Sequence, residues 1–343
     1  MQGSSKHTCK IHSRLHAGTE QMSVFVKQSA ASCAFTSSDS WVILSPIEQS
    51  IKRKIESVGT PLKDWGVNIY RGILTGCNEA FIIDENKRAE ILAQCADAAE
   101  RERTEQIIRP ILRGRDIKRY AYEWAHLYII ATFPAKHLDI EDYPAVKQHL
   151  LSFGIERLEQ TGKEHLINGE HIKSRKKSGN KWFETQDTIA YMDDFAKPKI
   201  VWAETMRIHR EDVSNFPRFA LATNQVYTDK TCFIGTGESD ELKLVLGILN
   251  SKVGRYQLGA LVSKMDDGGW LMQKIYIERI LVPRMSPKHR KRIVSLVDNI
   301  LNSKVKCTAE QDLDNCIYDV YGLSDDETRH IEKVTSASLT RRR

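Results

Sequence analysis

The sequence predicts an α+β protein: a mixed-sheet domain over residues 45–238, a helix–strand–helix segment over 239–305 and a helical tail over 306–343. Short apolar stretches such as Val67–Tyr70, His126–Thr132 and Lys199–Ala203 have the length and content of strands. Helix signals and irregular glycine-bearing loops lie between them. The last third instead carries two apolar stripes with the 3.6-residue period of packed helices.

Taken in order, residues 1–44 read as a leader or linker, because the segment is rich in Ser, Ala and His without a sustained period. Ser45-Pro46-Ile47-Glu48 is a capping box with proline at the first helical position, and Gly59-Thr60-Pro61 stops that helix. Residues 67–70 and 79–84 flank a Gly-containing turn and predict a β-hairpin. A polar helix follows near 87–104, then a basic turn at 113–119 and the strand His126–Thr132. Residues 140–158 read as helix, 161–181 as a basic loop, and 199–203, 218–222 and 226–235 as strands. Ser239 starts a helix with Leu242, Val245, Leu246, Leu249 and Val253 on one face, and Lys274–Pro283 reads as a strand. Ser286-Pro287 starts a second helix with a stripe of Ile293, Leu296, Val297, Ile300 and Leu301, and Ser324-Asp325-Asp326-Glu327 caps a last one.

A chain of 343 residues, 41% of them hydrophobic, is long enough for about two domains with sizeable cores. No run of 18 apolar residues spans a membrane, and the N-terminal MQGSSKHTCK lacks the apolar core of a signal peptide. The expectation is a cytoplasmic protein with no membrane partner. Seven scattered cysteines without a CxxC pair predict reduced thiols. Cys9, His12 and His16, with His7, have a metal-like spacing but no paired ligand set, and read as part of the leader.

The net charge of +6 is unevenly spread. Residues 173–181 hold five basic residues and no acid, 109–119 hold five against Asp116, and 288–292 hold four. Such clusters suit a polyanion, although solvated faces also carry them. Catalytic motifs do not accompany them. There is no Pro-Pro, as the base-holding turn of an adenine methyltransferase needs, and no phosphate-binding Gly-Lys-Ser/Thr. Gly235-Thr236-Gly237 follows a strand but lacks the third glycine of a dinucleotide loop. Asp64 with Glu85-x-Lys87 has the composition of a nuclease site, without a second ion-binding group at a fixed offset.

Two long motifs resemble a known family. Tyr70-Arg71-Gly72-Ile73-Leu74-Thr75-Gly76-Cys77-Asn78-Glu79-Ala80-Phe81-Ile82-Ile83-Asp84 is similar to the opening motif of TaqI-like C-terminal specificity domains, and Pro110-Ile111-Leu112-Arg113-Gly114-Arg115-Asp116-Ile117-Lys118-Arg119-Tyr120 to the second. Residues 143–150, 197–201, and 249–252 with 280–283 resemble later blocks, so the likeness covers about 45–305 in consistent order. The resemblance implies a DNA target-recognition domain that follows an N6-adenine methyltransferase in type IIG restriction–modification enzymes and related phage-defence methylases. It also implies double-stranded DNA and a methyltransferase or endonuclease half as partners. No cofactor is expected in this chain, S-adenosylmethionine belonging to the catalytic half. A fragment of a longer enzyme, a separate subunit and a disrupted gene stay open as origins. So do two other functions: a piece of an adenine-specific methyltransferase or restriction enzyme, and a regulatory partner that does not touch DNA.

Under that reading, Lys173, Arg175, Lys176, Lys177 and Lys181 are assigned to phosphates, with Asn180 and Trp182 close enough to approach bases. A solvated loop is the competing account. Arg113 and Arg115 flank Gly114 and can grip a phosphate or a guanine, or pair internally with Asp116; Lys118 extends that turn. Tyr70, Arg71, Thr75, Gly76 and Asn78 form a DNA-facing turn, or supply turn geometry alone. The helical stripes at 242–253 and 293–301 read as core packing, and the helices of a catalytic partner are also expected to dock against them.

Overall fold

A computed structural model describes residues 44–208, 213–302 and 307–336; the Cys9–His16 set lies outside them. Helix α1 (Pro46–Val58) opens on the expected capping box, in which Glu48 Oε2 accepts from the Ser45 amide at 2.8 Å. Strands β1 (Gly59–Pro61) and β2 (Asn68–Arg71) follow, then α2 (Asn78–Phe81) and β3 (Ile82–Asp84). Helices α3 (Glu85–Ala93) and α4 (Ala98–Ile107) precede β4 (Ile108–Leu112) and β5 (Leu127–Ile130). Helices α5 (Pro144–Leu151) and α6 (Ile155–Leu158) lead to β6 (Glu164–Ile167) and β7 (Glu170–Lys173). Next come β8 (Lys199–Ala203), β9 (Thr205–Arg207), β10 (Phe219–Ala222), β11 (Tyr227–Thr228) and β12 (Cys232–Thr236). The C-terminal third holds α7 (Ser239–Asn250), α8 (Lys252–Leu261), β13 (Gly269–Leu271), α9 (Lys274–Ile277) and β14 (Leu281–Pro283). It ends with α10 (Pro287–Asn302), α11 (Cys307–Tyr321) and α12 (Asp325–Ser336).

Two four-stranded sheets organise these elements, in the orders β10–β8–β12–β2 and β11–β4–β5–β3. The first is antiparallel, and the second is mixed because β11 runs parallel to β4. The first sheet is the wall between two cores. On β8, Ile200 and Trp202 face the core that also holds the C-terminal helices, while Val201 faces the other, as strand alternation requires. All five residues of β8 are buried, so the strand reads as a continuous apolar run.

The apolar stripes pack on the chain itself. Leu242, Val245, Leu246, Leu249, Ile293, Val297 and Ile300 belong to one core cluster with Ile51 and Ile55 of α1. The expectation that these stripes receive a catalytic partner is therefore corrected: α7 and α10 cover each other, as the core-packing reading had it, and α1 is tied to α12 through Lys54, whose Nζ donates to Glu327 at 2.7 Å.

Several element expectations also change. The hairpin expected across 65–84 does not form, because β2 pairs with β12 and β3 with β5. Alternation identifies a strand but not its neighbour. The helix expected at 87–104 breaks before Asp97, whose carboxylate accepts from the Glu100 amide at 2.7 Å and starts a new one. Gly154, at φ +84°, separates α5 from α6 where one helix was expected. The expected loop at 161–181 contains the β6–β7 hairpin, and the expected strand at 274–283 begins as α9. The helix expected through Val253 turns at Ser251 instead, since a Cβ on Gly254 would stand 2.1 Å from the Ile248 carbonyl oxygen.

Lys199 is fully buried at one end of β8, and its Nζ donates to the carbonyls of Phe195 (2.8 Å), Lys197 (3.1 Å) and Asn224 (3.1 Å). Burial pulls its pKa down from 10.5 to about 8. Lys199→Met orphans three carbonyls and is expected to cost about 2–3 kcal/mol. Between pH 8 and 10.5 the unfolded chain holds the lysine proton more firmly than the folded one, so wild-type stability gains with rising pH relative to the methionine variant. Urea titrations of both proteins at pH 7 and pH 10 check this: the gap is expected to widen at the higher pH.

Candidate nucleic-acid interface

Strand β4 runs straight into the basic turn Arg113-Gly114-Arg115-Asp116. Asp116, 5% exposed, folds that turn back on itself: it accepts from the Arg113 amide (2.8 Å), Nε (3.1 Å) and Nη2 (2.9 Å). This bonding raises the Arg113 pKa and commits the guanidinium internally. Arg115 is exposed, with no ion pair among the described residues. Gly114 lets the turn sit against the end of β8, because a Cβ there would approach the Ala203 Cβ at 3.2 Å, and its amide donates to Thr231 Oγ1 at 3.0 Å. Lys118 is half-buried and lies 3.4 Å from Glu123.

This turn forms one wall of a groove of about 700 Å³, whose other wall is β9 and the residues before β10. Five cations line it (Arg113, Arg115, Lys118, Arg207 and Arg218) against two acids, Glu204 and Asp229. Arg71 reaches the same acids' edge, with Nη2 2.9 Å from Glu204. A second cavity of about 940 Å³ shares Lys118 and Asn215 with the lining of the groove. Arg207 and Arg218 were not among the residues expected from sequence. The Arg207–Arg210 stretch is basic, which was the signal available for the first.

The glycine of the opening motif has a steric reason. A Cβ on Gly72 would lie 1.9 Å from the Asp229 carbonyl oxygen, where the chain crosses beside β12. Tyr70 is half-buried and stacks on Tyr191 with ring centroids 4.6 Å apart. Thr75 is fully buried and donates to Asn78 Oδ1 at 2.6 Å, so its hydroxyl supports the loop and does not face solvent. Gly76 and Asn78 are exposed, Gly76 in the left-handed region at φ +80°.

Within the lysine-rich run the structure separates neighbours sharply. Arg175 is 5% exposed and donates to the carbonyls of Leu158 (2.7 Å), Thr75 (2.8 Å), Glu184 (2.7 Å) and Trp182 (2.6 Å). Its assignment to a phosphate is corrected on that ground, since all three guanidinium nitrogens are engaged inside the protein. Asn180 is likewise committed, Nδ2 donating to Gln186 O at 3.0 Å, and Trp182 is half-buried against Phe183. Lys173, Lys176, Lys177 and Lys181 are exposed around it. The expected residues thus fall into two groups, Arg71, Arg113, Arg115 and Lys118 at the groove, and Thr75 to Asn78 with 173–182 beside the β6–β7 hairpin. The segment 71–76 joins them. Among the described residues no cluster of His, Cys, Asp or Glu has the grouping of a metal site, so Asp64 and Glu85 do not converge on one. Nor is any described helix long and apolar enough to cross a membrane.

The family model for the TaqI-like C-terminal specificity domain matches residues 109–282, which include the basic turn, the lysine run and strands β8, β10 and β12. The chain belongs to this family. Its opening motif precedes the matched segment, and its closing strand β14 ends it. Two curated relatives of the specificity domain are the Type II methyltransferases M.PaeR7I of Pseudomonas aeruginosa and M.XhoI of Xanthomonas vasicola, each 20% identical over 292 residues, or 84% of this chain. The chain spans 44% and 46% of their lengths. Among solved structures, the Type IIL restriction–modification enzyme MmeI in complex with DNA aligns with a TM-score of 0.50 at 14% identity, over 79% of this chain and 36% of that one. That likeness concerns the fold alone.

Proposed function

We propose that this specificity domain recognises double-stranded DNA for a type IIG-like restriction–modification or phage-defence adenine methyltransferase. In that role it positions a methyltransferase or endonuclease half carried by another segment or subunit, with S-adenosylmethionine as that half's cofactor. The observation that carries the reading is a groove lined by five cations, of which Arg113, Lys118 and Arg207 pair with Asp116, Glu123 and Asp267, while Arg115 is exposed and has no ion pair among the described residues. Guanidinium and ammonium groups presented along a concave wall suit a phosphate backbone, which can exchange with the paired carboxylates. Arg113, although paired with Asp116, stiffens the turn that presents Arg115. Family membership and the DNA complex of MmeI support the choice of DNA over other polyanions.

Titrating a labelled duplex with the full chain at a series of salt concentrations tests this. About five phosphate contacts give a slope near −4.5 in log K against log salt. Arg115→Ala with Lys118→Ala is expected to make the slope shallower by about 2 and to weaken all sequences alike. Binding that ignores salt, or no duplex binding, counts against the reading.

A further inference from the structure

The β6–β7 hairpin pairs with neither four-stranded sheet. An isolated two-stranded ribbon is marginal in water and depends on its anchorage. Here Asn168 (φ 51°) and Gly169 (φ 85°) form the two-residue turn whose twist matches the flanking strands. At the other end, the Arg175 guanidinium and the Gln160 amide tie the base to the body. The ribbon is therefore closed by a matched turn at its tip and anchored by side chains at its base.

Its two faces differ. His165, Ile167 and Ile172 are half-buried against the protein, whereas Glu164, Leu166, His171 and Lys173 are all exposed. The register opposes Leu166 to His171 and Glu164 to Lys173, so these four share the outward face. Leu166 is 67% exposed, the largest value among the exposed large apolar side chains of the described residues. A bare leucine on an isolated ribbon is a liability for the chain alone, and it suits an apolar contact supplied from outside. Lys163, Lys173, Lys176, Lys177 and Lys181 surround the base, all exposed, and none has an ion pair among the described residues. Glu164 and Glu170 on the ribbon and Glu184 beside Lys181 are the nearby acids, without an ion pair to these lysines among the described residues.

Unpaired lysines flanking a narrow ribbon match a duplex whose phosphates border a groove, and the major groove admits a two-stranded β-ribbon. Resting on the DNA-recognition reading above, we propose that the β6–β7 hairpin is the base-reading element. It enters the major groove with Leu166 and His171 against base edges and Asn168 at its tip, while the five lysines hold the bordering phosphates. The chemistry is that of direct readout. Leu166 offers methyl groups to a thymine methyl, His171 a ring donor and acceptor, Glu164 an acceptor for a cytosine amino group, and Asn168 an amide for an adenine edge.

The test is selection by the full chain from a duplex pool randomised over its central positions, followed by sequencing of the bound fraction. Affinity for an unselected duplex and the thermal melt of each variant are measured alongside. Wild type is expected to enrich one sequence. Leu166→Ser, His171→Ala and Asn168→Gly, the glycine keeping the left-handed turn, are expected to keep the melt and the unselected affinity while relaxing one or two positions by about tenfold each. Lys173→Ala with Lys176→Ala and Lys177→Ala lowers affinity for every sequence together. If all three hairpin variants retain the wild-type preference, the hairpin does not read bases, although the specificity-domain reading stands. If wild type itself binds no duplex, the DNA reading falls and takes this inference with it. Unchanged DNA selection with altered self-association of Leu166→Ser in sedimentation assigns the leucine to a protein contact and overturns the proposal.

Discussion

Arg175→Ala is expected to destabilise the specificity domain by about 4 kcal/mol, more than any other single change in the lysine-rich run. The guanidinium reaches carbonyls on three separate segments: Leu158 at the end of α6, Thr75 in the opening motif, and Trp182 with Glu184 after the hairpin. Its face also lies over the Phe81 ring, 5.1 Å from the centroid. Burial lowers its pKa to about 10, which leaves it charged at neutral pH, and each bond it makes is therefore charge-assisted. Alanine leaves four carbonyls without that donor, and unsatisfied buried acceptors cost about 1–3 kcal/mol each before water enters. Arg175→Lys recovers less than half, because one ammonium cannot span the fork that the guanidinium fills. Lys176→Ala and Lys177→Ala are the controls, each expected within about 0.5 kcal/mol of wild type. Urea denaturation, with limited proteolysis across 158–186, measures the difference. An Arg175→Ala protein within about 1 kcal/mol of wild type refutes the anchoring role.

Arg119→Ala is expected to cost a similar amount, about 3–5 kcal/mol, through a different junction. The side chain is 13% exposed, and its Nε and Nη2 donate to Glu310 at 2.8 and 2.5 Å. Nη1 donates to the carbonyls of Asn250 (2.7 Å) and Pro217 (3.2 Å). One arginine thus joins the basic turn, the approach to β10, the end of α7 and helix α11. Glu310 and the Tyr120 ring raise its pKa against the opposing effect of burial, so it stays protonated across the accessible range. Removing either partner strands the other, so the double variant with Glu310→Ala is expected to cost less than the sum of the singles by about 2 kcal/mol. Additive losses sink the coupling. Hydrogen exchange is the second readout, with α11 and the end of α7 expected to lose protection together.

Much of this organisation was legible from residues alone. Ser45 with Glu48 and Ser324 with Glu327 cap helices as their spacing required, because a capping box is a local hydrogen-bonding arrangement. The stripes of α7 and α10 and the apolar run of β8 were visible for the same reason, since period and length depend on near neighbours. The turn Asn168-Gly169 carried a hairpin signal that the surrounding charge obscured. The candidate site was less legible. Arg175 sits between lysines that point outward, and nothing in the run of charges marks which member turns in. Arg113 and Arg115 differ by two positions, yet one pairs with Asp116 while the other faces the groove. Arg207 joins them from the far wall, across more than ninety positions of chain.

By itself the sequence determined where the capped helices begin, which faces are apolar and which family the motifs resemble, because those properties arise within a few residues of each other. Only the tertiary structure decided that β2 lies beside β12, that the helical stripes close on one another, and which cations remain for a ligand. The cause is that a guanidinium's fate depends on which carbonyls and carboxylates arrive beside it, and those come from segments far away in the chain.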